Sequence, residues 1–283
     1  MADTTMRAPA DAAIPVRARP ERSLARNLHA MAMVWRRDLI RLRRMPTRII
    51  TGLAQPLLFL FVLGAGLESA IGSRGAAGVD YQQYLFPGIL AMSVLTSALF
   101  SSVAIVWDRE FGFMREMLVA PVSRASLVLG KALGGGSVAV VQGLVLVVTA
   151  PLVGVDLTVG RFFEMVLFLL LLAFALTAFG IVIASRMQRM ESFQMVMALV
   201  LQPMLFLSGA IFPLGNLPDW LGVVTRLNPA TYGVDAIRRV LLPPAVPLTI
   251  FDWTVPLWAD ALITLAFGTA MLALAVRLFS RTE

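Results

Sequence analysis

Two runs without a single charge, Tyr84 to Trp107 and Ala132 to Val155, constrain this chain more than any other feature. Each exceeds the roughly 20 apolar residues that carry a helix across a bilayer, where only a structure that satisfies its own backbone survives. The stretch between them, Asp108 to Lys131, is charged, so it must lie in water at one membrane face, where a partner can dock. Within it Phe111, Met114 and Leu118 recur at helical spacing, while Asp108, Arg109, Gly112, Arg115 and Glu116 fall mostly on the other face. Pro121 lacks a backbone donor and its ring clashes with the preceding turn, so the pattern predicts a short helix along the membrane, ending near Val119 or Ala120. Ser123 is placed to cap the next helix, which starts close to Ser126 and enters the membrane. A solvated connector whose charges only set topology has the same pattern.

The remaining apolar runs extend this to a fold class. With 58% hydrophobic and 14% charged residues, too little polar residue is left to cover a globule. The expected fold is an all-α membrane protein with six transmembrane helices, at about 49–67, 84–107, 130–153, 163–185, 192–212 and 257–277. Asp260 interrupts the last apolar stretch and is expected near the outer interface. Residues 1–23 are rich in Ala, Pro and Arg, too polar to bury a core, and read as a disordered tail and not as the start of a cleaved signal peptide.

Between tail and spans, residues 24–46 read as an amphipathic interfacial helix. Leu24, Leu28, Met31, Trp35, Leu39 and Leu42 form one narrow stripe, and Arg26, Arg36, Arg37, Arg41, Arg43 and Arg44 occupy the opposite half. The leucines belong in the acyl boundary and the arginines toward anionic headgroups. A basic arm for nucleic acid would not need that apolar face, so no nucleic acid is expected as a partner. Basic residues gather before Ile49, in the charged stretch, at Arg186 to Arg189 and after Val276. By the positive-inside rule both termini and the charged stretch are cytoplasmic.

Two further groups of residues are candidates for function. Between Pro213 and Pro256 the chain is too broken for a seventh span. A helix start at Pro218 to Leu221, a cap at Asn228-Pro229 and a stop at Pro243-Pro244 predict two short helices dipping back from the outer face. They bring Trp220, Tyr232, Asp235, Arg238 and Arg239 to the exit of any pathway; the alternative reading is that Asp235 pairs with Arg238 or Arg239 simply to fix the hairpin. Within spans, Gln55-Pro56 and Gln202-Pro203 each set an amide beside a kink that frees a carbonyl. They are read either as lining a translocation path, with Phe206 close by, or as packing between helices.

Several chemistries are excluded. There is no cysteine, and the one histidine, His29, precedes the first span, which removes thiol chemistry, histidine-dependent catalysis and histidine metal sites from the membrane region. Gly130-Lys131-Ala132 lacks the earlier glycine and the following Ser or Thr of a phosphate loop, so no nucleotide is expected on this chain by that route. Carboxylates are almost absent from the spans, which argues against an ion-coupled carrier.

Glu110, Gly112, Glu116, Leu118, Pro121, Gly130 and Lys131 resemble the loop after the second span in permease subunits of ABC-2 type exporters, the group that includes daunorubicin-resistance and nodulation-factor permeases. A second resemblance runs through Leu207-Ser208-Gly209-Ala210-Ile211-Phe212-Pro213, Leu217-Pro218, and Asn228-Pro229-Ala230-Thr231-Tyr232-Gly233-Val234-Asp235-Ala236 with Arg238. The resemblance implies that Glu110, Phe111, Gly112, Met114, Arg115, Glu116, Leu118 and Pro121 form a cytoplasmic coupling helix seated on a separate ATPase, with Trp35, Arg36, Arg37 and Arg41 on a connecting helix that also touches it. It further implies a dimer of permeases, ATP and Mg on the ATPase and none on this chain, an amphiphilic drug-like or lipid-like substrate, and the inner membrane of a bacterium. Phe212, Pro213, Trp220, Asn228, Pro229, Tyr232, Asp235 and Arg238 would lie at the re-entrant exit. The alternatives are a polysaccharide or glycolipid substrate, an ATP-independent carrier, or a membrane scaffold.

Overall fold

The computed structural model describes residues 24–66, 80–112, 123–211, 218–242, 248–250 and 253–281. These are helical apart from a two-residue antiparallel pair, Thr249–Ile250 against Trp253–Thr254, of which the sequence pattern gave no sign. Six of the helices are long and apolar enough to cross a membrane: Ile49–Gly66, Tyr81–Glu110, Arg124–Val147, Val159–Arg186, Met190–Leu207 and Leu257–Ser280. They are called the first to sixth spans below. The expected tail at 1–23 lies outside the described residues.

Local chemistry sets where the spans begin and end. The third begins at Arg124, earlier than its apolar run, because the Ser123 side chain accepts a hydrogen bond from the Ser126 amide as an N-cap. It ends at Val147, followed by a tight turn at Ala150–Val153 where Pro151 has no amide to continue an α-helix, and Gly154 closes the turn at φ 71°. The fifth stops at Leu207, short of residue 212, where the Ser208 hydroxyl donates to the Leu205 carbonyl. The second does not stop at Trp107. Its helix continues through Asp108, Arg109 and Glu110 and is terminated by Gly112, whose φ of 82° is a left-handed conformation that favours glycine just past a helix end. The charged stretch is therefore not one helix from Asp108 to the proline.

The second, third and fourth spans pack against one another, the sixth lies along the fourth, and the helix Pro229–Leu241 is buried where the second, fourth and sixth meet. Apolar association is weak between helices in lipid, so close approach has to come from small residues. Gly134 and Gly135 supply it, Gly134 facing Asp38 of the N-terminal helix and Gly135 facing Ser101 and Thr177 of the second and fourth spans, whereas a Cβ added at Gly136 would meet nothing nearer than 3.9 Å. Gly88 in the second span lies so close to Ala210 that an added Cβ would overlap that residue's backbone carbonyl. Only 22% of the first span, 28% of the fifth and 22% of the sixth is buried, the first and fifth resting on the second.

The first span carries its own kink. Pro56 leaves the Gly52 carbonyl without its intrahelical donor, and the Gln142 Nε2 of the third span supplies one at 3.0 Å. A π-helical turn at Phe59–Leu63 follows directly.

The N-terminal helix, Leu24–Arg44, packs along the third span mainly through a row beside its apolar stripe. The packed row is Asn27, Val34 and Asp38, about 80° round the helix from the stripe's centre. Asn27 Oδ1 accepts from the Ser123 amide at 3.0 Å, Val34 lies against Gly130, and Trp35 Nε1 donates to Ser137 Oγ at 3.0 Å. Leu24 and Leu28 stay exposed to one side and Arg36, Arg37 and Arg41 to the other.

Replacing Gly88 by Ala is expected to lower stability in detergent by about 1 to 3 kcal/mol, because backbone has to move. Gly136→Ala is expected to stay within about 1 kcal/mol of the natural chain. Thermal unfolding of the two variants side by side checks this.

Candidate functional site

At the arginine-rich end of the bundle, three consecutive residues of the second span each reach a different helix. Asp108 Oδ2 accepts from the buried ammonium of Lys131 at 2.6 Å, tying the second span to the third. Arg109 Nη1 donates to the carbonyls of Ser185 and Met187 at 2.8 and 2.9 Å, closing the end of the fourth span. Glu110 Oε2 accepts from the Met190 amide at 2.9 Å, capping the start of the fifth. On the far flank of the charged stretch, Arg124 Nη1 donates to the carbonyls of Phe279 and Ser280, both at 3.1 Å, at the end of the sixth. These are the backbone groups that helix ends leave unpaired, and the cations sit at C-termini and the anion at an N-terminus, as the helix dipole favours.

Of the residues expected to couple to a partner, Glu110, Phe111 and Gly112 stand at this junction, with Phe111 exposed. Met114, Arg115, Glu116, Leu118 and Pro121 lie outside the described residues, as does the rest of the expected coupling helix. On the N-terminal helix Arg36, Arg37 and Arg41 are exposed, while Trp35 reaches the third span at Ser137. Arg109 and Arg124 had not been singled out. A sequence signal existed: each is a cation within a turn of a span's end, where neighbouring helix ends need donors.

At the opposite end, the two expected short helices are present as Asp219–Leu227 and Pro229–Leu241. Asn228 caps the second through the Ala230 amide, and its Nδ2 donates to the Met204 carbonyl at 2.8 Å. Pro229 stands at the first helical position. Tyr232 donates from its hydroxyl to the Arg226 carbonyl at 2.7 Å, which joins the two helices. Trp220 is 68% exposed on the first of them. Phe212 and Pro213 lie outside the described residues.

The two arginines behave differently. Arg238 is buried, donates to the carbonyls of Gly209 and Ala210 at 2.7 and 3.2 Å, and stacks its guanidinium 4.5 Å from the Tyr84 ring centre. Arg239 bridges two carboxylates, Asp235 at 2.6 Å one turn earlier and Asp260 of the sixth span, and also donates to the Val255 carbonyl at 2.7 Å. So the pairing foreseen on the helix face is made by Arg239, while Arg238 grips the turn after the fifth span. Burial pushes the Asp235 carboxyl, outside the six spans, above its ordinary range, and Arg239 beside it acts the other way. Asp260, in the first turn of the sixth span, is buried inside this network; a lone carboxylate in an apolar stretch needed a partner, and that was its signal.

The pair Gln55 and Gln202 is exposed on one chain, on the two least buried spans but for the sixth, with Phe206 and Pro203 exposed beside Gln202 and Pro56 buried. No three of the His, Cys, Asp and Glu side chains among the described residues come together as a metal site would require.

Residues 29–242 match the family described as ABC-2 type transporter. A transport permease of Cyanophora paradoxa, ycf38, is 33% identical over 209 residues, covering 72% of this chain and 71% of that protein. Nodulation protein J of Rhizobium leguminosarum bv. trifolii is 32% identical over 213 residues, covering 74% and 80%. That of Rhizobium meliloti (strain 1021) is 33% identical over the same length.

Arg239→Met leaves two buried carboxylates without their shared cation and is expected to cost about 3 to 5 kcal/mol. Adding Asp235→Asn and Asp260→Asn removes the uncompensated charge and is expected to recover most of that loss. Thermal unfolding of the single and triple variants in detergent measures both.

Proposed function

Because the chain belongs to the ABC-2 type transporter family, we propose that it is the membrane permease of an ATP-driven exporter. In this reading a separate ATPase subunit binds ATP and Mg, and this chain binds neither. Two permease chains form the pathway, and an amphiphilic drug-like or lipid-like solute moves outward from the cytoplasm or the inner leaflet. The termini and the charged stretch face the cytoplasm of a bacterium, following the bias of Arg and Lys.

The observation that carries the reading is the junction at Asp108, Arg109 and Glu110, with Arg124 across the loop. A loop that only sets topology needs charge, but it does not need side chains that hold the ends of the third, fourth, fifth and sixth spans. A loop that receives work from an ATPase needs just such connections. The N-terminal helix, bonded to the third span through Trp35 and to the loop's far flank through Asn27, offers the ATPase a second contact that shares the same frame.

The first and fifth spans have the largest unburied faces next to the second, and each carries an exposed glutamine beside a proline. Across a two-fold dimer these faces would meet and place Gln55 and Gln202 along the pathway. The lining otherwise offers Leu, Val, Ala and Met, which suits many apolar molecules.

The test is co-purification in detergent with the ATPase encoded beside this gene. The natural chain is expected to recover the ATPase stoichiometrically, and Glu116→Arg is expected to abolish recovery while the chain still purifies folded. A chain that purifies alone under all conditions would contradict the proposal.

A further inference from the structure

We propose that Arg109 and Glu110 are positioning residues that make the turn between the fourth and fifth spans move with the charged loop. The inference rests on the ATP-driven reading above and adds the point at which movement leaves the loop. Covalently the loop connects only the second and third spans, so a push on it reaches other helices only through side chains. Two adjacent residues make that connection. Arg109 holds the last carbonyls of the fourth span, Ser185 and Met187, at 2.8 and 2.9 Å, and Glu110 holds the first amide of the fifth, Met190, at 2.9 Å.

Three features make this a coupling and not only a cap. The turn is short, with Met187 and Arg189 both extended (ψ 140° and 143°), so the two spans share one hinge that both residues grip. Gly112, at φ 82°, ends the second span's helix just after Glu110, so the chain leaves the span directly at the grip. And the fifth span is only 28% buried overall; near this end its other anchors are Phe193 and Met197, with Phe193 edge-on to Phe100 of the second span, so those contacts too run to the span that carries the loop. The fifth span also carries Gln202 and Pro203, so the grip lies at one end of the helix assigned to the pathway.

The absence of cysteine allows clean paired spin labels. Val148→Cys, at the opposite end and 75% exposed, serves as reference. It is combined with Phe111→Cys to report the loop or with Gln188→Cys to report the turn. Distances are measured by pulsed electron spin resonance in the full permease and ATPase complex, without nucleotide and after ATP with vanadate. Met190→Pro removes the amide that Glu110 accepts from; proline is tolerated at a first helical position, and Arg189 at φ −122° and ψ 143° already accommodates a following proline. Arg109→Met removes the other grip and carries the same test should either variant fail to fold. Glu110→Gln keeps an acceptor and serves as the conservative control.

The natural chain and Glu110→Gln are expected to show nucleotide-dependent shifts at both loop and turn. Met190→Pro and Arg109→Met are expected to keep the loop shift and lose the turn shift, which a merely stabilising cap would not produce. A turn shift that survives in both variants overturns the inference, as does a natural chain whose loop shifts and whose turn does not, with the ATP-driven reading left standing. No loop shift in the natural complex overturns that reading and this inference with it.

Discussion

Every helix that crosses a bilayer ends with backbone carbonyls and amides that its own turns cannot pair, and the way this chain pairs them governs its architecture. Arg109 and Arg124 close the C-terminal ends of the fourth and sixth spans, Glu110 and Asn228 cap starts, and Arg238 takes the carbonyls left free where the fifth span turns back. The same need recurs inside the membrane, where Pro56 frees the Gly52 carbonyl and Gln142 answers it from a neighbouring span. Apart from Asn228, which caps its own helix, the partner group comes from another helix, so each such satisfied end is also a mechanical link. Arginine suits this role: its planar fork reaches two carbonyls at once and stays charged in poor solvent.

The two ends of the bundle use these links for different purposes. At one end they gather four spans around the roots of a charged loop, which is the arrangement expected of a protein that receives movement from a partner. At the other they lock Pro229–Leu241 against the second, fifth and sixth spans through Arg238 and the Asp235, Arg239 and Asp260 network. Buried ion pairs of this kind add little net stability, since desolvation offsets most of the attraction, but breaking one partner is costly. Such a network fixes one geometry for the short helices, while little of the first and fifth spans is buried within the chain.

Much of the fold was legible in the sequence because bilayer thickness is a strict ruler: six apolar runs became six helices, and Ser123 and Asn228 capped where their residue types said they would. Helix ends were less legible, since Gly112, Pro151 and Ser208 stop helices within runs that remain apolar or charged on both sides. What periodicity could not supply was the partner of each charge. Whether Arg238 or Arg239 meets Asp235 depends on about 100° of helix rotation, and Asp260 gives no hint of Arg239 from its own neighbours. The packed flank of the N-terminal helix was hidden for the same reason: Val34 and Asp38, beside its apolar stripe, face the third span's glycines.

The measurement that bears most directly on the whole account is solute movement in reconstituted vesicles, comparing this chain with its ATPase, with and without ATP, against the chain alone. The account predicts that a fluorescent amphiphile crosses only when both subunits and ATP are present. Passage through the chain alone, without nucleotide, would contradict it and make an uncoupled carrier the better description.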